Sequence, residues 1–211
     1  QGGNFSLNRL IPNILTLLAL CAGITAIRFA IEMKFEPGVM AIIAAAVLDG
    51  IDGRIARFLK ATTVLGAQLD SLSDFVSFGV APAVLLYVWS LSQLHGFGWA
   101  VVVIFAICCA LRLARFNAQL GIEPPAFAYN FFIGVPAPAA AGLAILPMLL
   151  SFQFGDAVFR SPYLNVVVMA GVAMLMVSRV PTYSFKRFRV RRDWVPVTLL
   201  VIGALAAFVS T

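Results

Sequence analysis

Histidine, cysteine and acidic side chains are all scarce in this sequence. There is one histidine, three cysteines, and only nine aspartates and glutamates against 15 lysines and arginines. Charged residues make up 11% of the chain and apolar ones 62%. So little charge cannot cover a soluble fold of this size, so an integral membrane protein is expected. Cys21, Cys108 and Cys109 lie in apolar segments without C-x-x-C spacing and read as reduced packing residues. His95 falls on an outer loop and reads as solvated and inert. No low-complexity tract and no internal repeat is visible. The first apolar run is long and lacks a small-residue cleavage pattern, so a spanning helix is expected there rather than a cleavable leader.

Against that scarcity, the acids are concentrated. Four of the nine stand between positions 49 and 74, in DGIDGRIARFLKATTVLGAQLDSLSD. Asp49 and Asp52 are spaced i,i+3, and Asp70 and Asp74 i,i+4, so on helices each pair shares a face. Four carboxylates gathered at a membrane helix end are costly unless cations neutralise them. A pair of divalent metal ions suits them, because hard cations prefer oxygen ligands. Gly53 leaves backbone uncovered for the close approach of a flat group, and Ala56 keeps the same face small. Arg57 can bind phosphate through its fork of donors. Gly66 is expected to allow a turn between the two halves. Taken singly, each aspartate could instead cap a helix or pair with Arg54 or Arg57.

Apolar runs predict seven spans: Leu10–Ile31, Val39–Phe58, Asp70–Leu91 with a kink at Pro82, Trp99–Asn117, Phe131–Leu150 broken up by Pro136, Pro138 and Pro147, Tyr163–Ser178 and Val195–Val209. Lys60–Leu69 is expected to turn, Gly121–Tyr129 to form a loop, and Arg179–Trp194 to be a basic loop. With the N-terminus in the cytoplasm, only Arg28, Lys34 and Arg160 of the 15 basic residues fall on the outer side. That orientation puts all four aspartates, Arg112 and Arg115 in one cytoplasmic layer. The net charge of +6 then suits anionic lipid head groups, above all at KRFRVRR, 186–192, rather than nucleic acid.

Asp49, Asp52, Gly53, Ala56, Arg57, Gly66, Asp70 and Asp74 fill every fixed position of D-x2-D-G-x2-A-R-x8-G-x3-D-x3-D. In this the chain resembles the CDP-alcohol phosphotransferases. The resemblance implies an all-α polytopic helix bundle with a six-helix core, here with at least one further C-terminal span, as a single domain over 5–211. It also implies two divalent cations, Mg2+ or Mn2+, on the four aspartates, with Asp74 as the proton acceptor. Asn13, Thr16, Asp52, Gly53, Ala56, Arg57 and Gly66 are the residues expected around the nucleotide-linked donor. IPNILT at 11–16, ALRLARFN at 110–117, FFIGVPAPAAA at 131–141 and MVSRVPTYSFK at 176–186 are similar to the bacterial integral-membrane phosphatidylserine synthases. That branch implies CDP-diacylglycerol as donor, L-serine as acceptor, phosphatidylserine and CMP as products, and a homodimer in the inner membrane. The serine carboxylate needs a cation, and Arg112 or Arg115 is in the right layer. Rival readings are another acceptor, glycerol 3-phosphate or an inositol phosphate, and a cation or lipid transporter. Acids at one edge and the lack of a repeat disfavour transport.

Overall fold

The computed structural model describes residues 7–59, 63–118, 131–178 and 181–183. Leu7–Ile31 (α1) and Phe35–Phe58 (α2) fold back on each other as a hairpin. The buried side of α1 runs Pro12, Thr16, Ala19, Gly23, Ala26 and Ala30, alternating steps of three and four. Its large apolar residues, such as Ile14, Leu17, Leu18 and Ile24, point outward. This is the pattern of a lipid-embedded helix, where small residues let backbones approach and bulky ones meet lipid. The connecting turn is tight: Met33 takes φ 58°, and Glu32 pairs with Arg28 at 2.7 Å and Lys34 at 2.9 Å.

The third helix starts earlier than the sequence suggests. Thr63 caps it, accepting a hydrogen bond from the Gly66 amide at 3.0 Å, and Val64–Asp74 (α3) follows. The expected turn over 60–69 is therefore already helix from Val64, and Gly66 lies in its first turn. Phe75–Val80 is a π-helical segment, after which Ala81–Trp89 (α4) resumes the α-helical path. The segment sits just before Pro82, where the sequence predicts a kink. Such a turn absorbs the hydrogen bond that a proline cannot donate. Ser73 and Ser77 donate to the Thr16 and Ala19 carbonyls of α1, each at 3.2 Å. Gly23 makes that crossing possible, since a Cβ there would stand 2.8 Å from Ser77 Cα.

A short 3-10 turn, Leu91–Leu94, leads into His95–Ala118 (α5), four residues ahead of the expected start. His95 is exposed, as expected, with φ 51° at the junction. The fifth span is shorter than the sequence predicts. Phe131–Ile133 (β1) is extended and pairs with Pro181–Tyr183 (β2), and helix begins only at Ala137. The reason is local: a residue before proline avoids the helical region, while a proline in the first turn costs nothing. Pro136 and Pro138 therefore start Ala137–Phe154 (α6) rather than break it, and the helix continues through Pro147. Asp156–Phe159 (α7) and Pro162–Val177 (α8) complete the bundle. All these helices belong to one compact unit, Gln1–Glu123 with Ile133–Pro181. The seventh expected span, the loop over 121–129 and nearly all of the basic loop over 179–194 lie outside the described residues.

Four helical stretches are long and apolar enough to cross a membrane: Leu10–Ile31, Val64–Trp89, Leu91–Ala118 and Ala137–Phe154. The shorter α8 is equally greasy, and α2 has the length but carries charge at its end. The architecture is an all-helical polytopic bundle with one short ribbon. At the end of the third span away from Asp70, buried Asn165 Nδ2 lies 3.0, 2.9 and 3.2 Å from the Phe159 carbonyl, the Ser161 carbonyl and Ser90 Oγ, and its two hydrogens serve two of the three at a time. Ser90 in turn donates to the Arg160 carbonyl at 2.7 Å. This polar knot ties the end of α4 to the start of α8.

Gly134 fixes the entry to α6. Its φ is 81°, and a Cβ would stand 2.8 Å from the Met176 carbonyl oxygen at the end of α8. Gly134→Ala is expected to cost ~1–3 kcal/mol. A lowered thermal midpoint in detergent would show it. Gly142→Ala, where an added methyl meets nothing within 4 Å, serves as the control.

Candidate active site

The end of α2 carries Asp49, Asp52, Gly53, Ala56 and Arg57, and α3 carries Gly66, Asp70 and Asp74. Carboxylate oxygens of Asp49, Asp70 and Asp74 all lie within 4.8 Å of one another. Two full charges ~4 Å apart repel by roughly 4 kcal/mol at an effective dielectric of about 20. Three half-buried carboxylates therefore need cations or protons among them. A convergent set of hard oxygen donors fits a divalent ion. Among the described residues no ion pair joins the motif aspartates to Arg54 or Arg57, and Asp74 caps no helix.

The fourth acid is held differently. Asp52 is only 4% exposed, and its Oδ2 accepts from the Thr16 hydroxyl at 2.7 Å. Thr16 Oγ1 also lies 3.0 Å from the Pro12 carbonyl. With one hydrogen it serves one acceptor at a time. The structure thus brings three of the four expected ligands to a point. Asp52 is fixed to α1 beside them, within electrostatic reach of Asp49 and Asp70.

A cavity of about 300 Å³ adjoins the cluster. α1 lines it with Pro12, Asn13 and Thr16, and α2 with Asp52, Gly53, Ala56 and Arg57. Thr63, Gly66, Ala67 and Asp70 form the α3 side, and Phe116 comes from α5. Asp70 belongs to both cavity and cluster, so the two are one site. All seven residues expected around the nucleotide-linked donor lie in this lining. Gly53 leaves an open floor, because the nearest atom to a Cβ there is Arg57 Nη1 at 3.8 Å. Gly66 serves close approach rather than a turn: a Cβ would stand 3.0 Å from Thr63 Oγ1 and 3.1 Å from Asn13 Oδ1.

Pro12, Thr63, Ala67 and Phe116 complete the wall beyond what the motif names. Stepping back from Asp70 by three, four and seven residues gives Ala67, Gly66 and Thr63. Helical spacing finds them once α3 is known to begin at Val64.

The two expected serine contacts separate. Arg115 Nη1 donates to the Val177 carbonyl at 3.0 Å, so it caps the end of α8. Arg112 Nε is buried and has no hydrogen-bond partner among the described residues. Asp74 and Cys109 stand within its electrostatic reach. Neither arginine lines the cavity.

A family model described as CDP-alcohol phosphatidyltransferase matches residues 9–178. The chain belongs to the CDP-alcohol phosphatidyltransferase family. The matched stretch opens in α1 and closes at the end of α8, so it takes in the acid cluster and the cavity together. Relatives agree. A Mycobacterium tuberculosis protein is 42% identical over 200 residues, 94% of this chain and 70% of its own length. A Helicobacter pylori protein is 36% identical over 85% of this chain and 74% of its own length. A Bacillus subtilis protein is 33% identical over 84% of this chain and 92% of its own length. All three are named CDP-diacylglycerol–serine O-phosphatidyltransferase. As a CDP-alcohol phosphatidyltransferase with four long apolar helices, the chain is an integral membrane enzyme.

Proposed function

We infer that this protein transfers the phosphatidyl group of CDP-diacylglycerol to the hydroxyl of L-serine, releasing CMP. The observation that carries the reading is Asp70, which joins a three-carboxylate cluster to a cavity large enough to admit a nucleotide portion. The names of the relatives supply the donor and acceptor.

Asn13, Thr16, Gly53, Ala56 and Gly66 receive the nucleotide, and Arg57 takes a phosphate oxygen. Asp49, Asp70 and Asp74, with Asp52 beside them, would hold two divalent cations, Mg2+ or Mn2+. Such ions, when bound, neutralise the diphosphate and the charge developing on the leaving group. Asp74 accepts the proton of the serine hydroxyl. That oxygen attacks the lipid-side phosphorus, the bond from this phosphorus to the CMP oxygen breaks, and CMP departs. Arg112 holds the serine carboxylate. The site faces the cytoplasm, as the bias of basic residues supports. The run at 186–192 meets anionic lipid, and the enzyme works as a homodimer.

The test is CMP release from CDP-diacylglycerol with serine, glycerol 3-phosphate and inositol phosphate in parallel. Serine alone is expected to support turnover, and a chelator to abolish it. Release of CMP with a phosphorylated acceptor and not with serine would overturn the assignment.

A further inference from the structure

We propose that Phe116 is a nucleotide-contacting residue of this site and that Asn117, through Ser71, positions it. The proposal rests on the transferase reading above and adds a wall that the signature motif does not contain.

Among the described residues, the cavity lining contains one aromatic side chain, Phe116, beside small and polar neighbours. It is 55% exposed, so its ring is not consumed by packing. The next residue explains how it comes to be there. Asn117 Nδ2 donates to Ser71 Oγ at 2.9 Å, and Ser71 Oγ stands 3.1 Å from the Ala67 carbonyl. An amide nitrogen only donates, so the serine oxygen accepts from Asn117, and its own hydrogen goes to the Ala67 carbonyl or to Asn117 Oδ1, also 3.1 Å away, one at a time. Ala67 and Asp70 both line the cavity, and Ser71 follows directly on α3. This chain of bonds fastens the end of α5 to the turn of helix that presents Asp70. It therefore sets where the Phe116 ring stands relative to the acids. A flat aromatic face in a pocket that receives a pyrimidine nucleotide offers a stacking surface every base can use. The small floor at Gly53 and Ala56 leaves room for such a ring, and Arg57 serves the phosphates.

The test measures CMP binding and CDP-diacylglycerol kinetics on the detergent-purified full chain with Mg2+. Wild type is compared with Phe116→Ala, Phe116→Leu, Phe116→Trp and Asn117→Ala. Alanine and leucine at 116 are expected to weaken CMP binding about tenfold, and tryptophan to retain it. Asn117→Ala is expected to raise the KM for CDP-diacylglycerol and weaken CMP, with the KM for serine unchanged. Size-exclusion profiles should match wild type, since the ring is half in solvent. CMP binding as tight in Phe116→Ala as in wild type would overturn the proposal, and so would full retention by leucine. Loss of CDP-diacylglycerol affinity with CMP untouched would also overturn it, and would assign the ring to an acyl chain. A wild-type protein that neither binds nor releases CMP would overturn the transferase reading itself, and that arm keeps the two failures apart.

Discussion

Asp74→Asn is expected to lower turnover by ~10²–10⁴ while leaving the bundle folded. The amide keeps the shape of the carboxyl but accepts no proton from serine. It also removes one negative charge from a group whose oxygens lie within 4.8 Å of one another. The native cluster is held together against its own repulsion, so the variant gives up function and relieves strain at once. Two measurements follow. Single-turnover kinetics should show the loss in the chemical step. Thermal unfolding in the presence of a chelator should give a midpoint equal to or above that of wild type. Wild-type turnover in the variant would remove Asp74 as the base. A large fall in the midpoint would mean that the carboxylate is a structural element instead.

The second large effect concerns the acceptor. Arg112→Ala is expected to raise the KM for serine by about 10- to 100-fold, the range for losing a charge-assisted hydrogen bond. The KM for CDP-diacylglycerol should not follow it. The buried Arg112 guanidinium nitrogen, with no partner among the described residues, is costly, and an incoming carboxylate would satisfy it. Arg115→Ala should behave differently, because that side chain is spent on the Val177 carbonyl. Its removal frees the last turn of α8 and should lower the thermal midpoint without moving the KM for serine. If Arg115→Ala raised the KM for serine and Arg112→Ala did not, the roles would be exchanged. Equal loss of donor and acceptor in Arg112→Ala would point to a lipid phosphate as its partner.

Much of the site is legible in the sequence because its chemistry is local. Asp49 and Asp52 occupy one helix, Asp70 and Asp74 the next, and the spacing within each pair already sets a shared face. The wall residues Gly53, Ala56 and Arg57 come with them at fixed intervals. What the sequence hides is how one helix is set against another. Asp52 shares a motif with Asp49, yet Thr16, 36 positions away in the chain, holds its carboxylate. Phe116 and Asn117 enter through a bond to α3 that no periodicity announces. Helix boundaries are hidden for a different reason. The Thr63 cap starts α3 at Val64, ahead of the apolar run, and apolar content at 131–135 suggests helix where the strand Phe131–Ile133 and the left-handed Gly134 precede Pro136. Arg112 and Arg115 look alike on one helix face. Only the position of the Val177 carbonyl separates them.

The charged end of α2 also bears on how the chain is made. Asp49, Asp52, Arg54 and Arg57 all lie on a helix that packs along the membrane-spanning α1. An aspartate or arginine deep in a membrane segment opposes partition by roughly 2.5–3.5 kcal/mol, less toward the ends. Thr16 lies on the neighbouring helix and satisfies Asp52 there. The turn at Glu32–Lys34 is too short for the two helices to part. Integration of the second segment during synthesis is expected to be coupled to the first, so that Asp52 enters with its Thr16 partner already beside it.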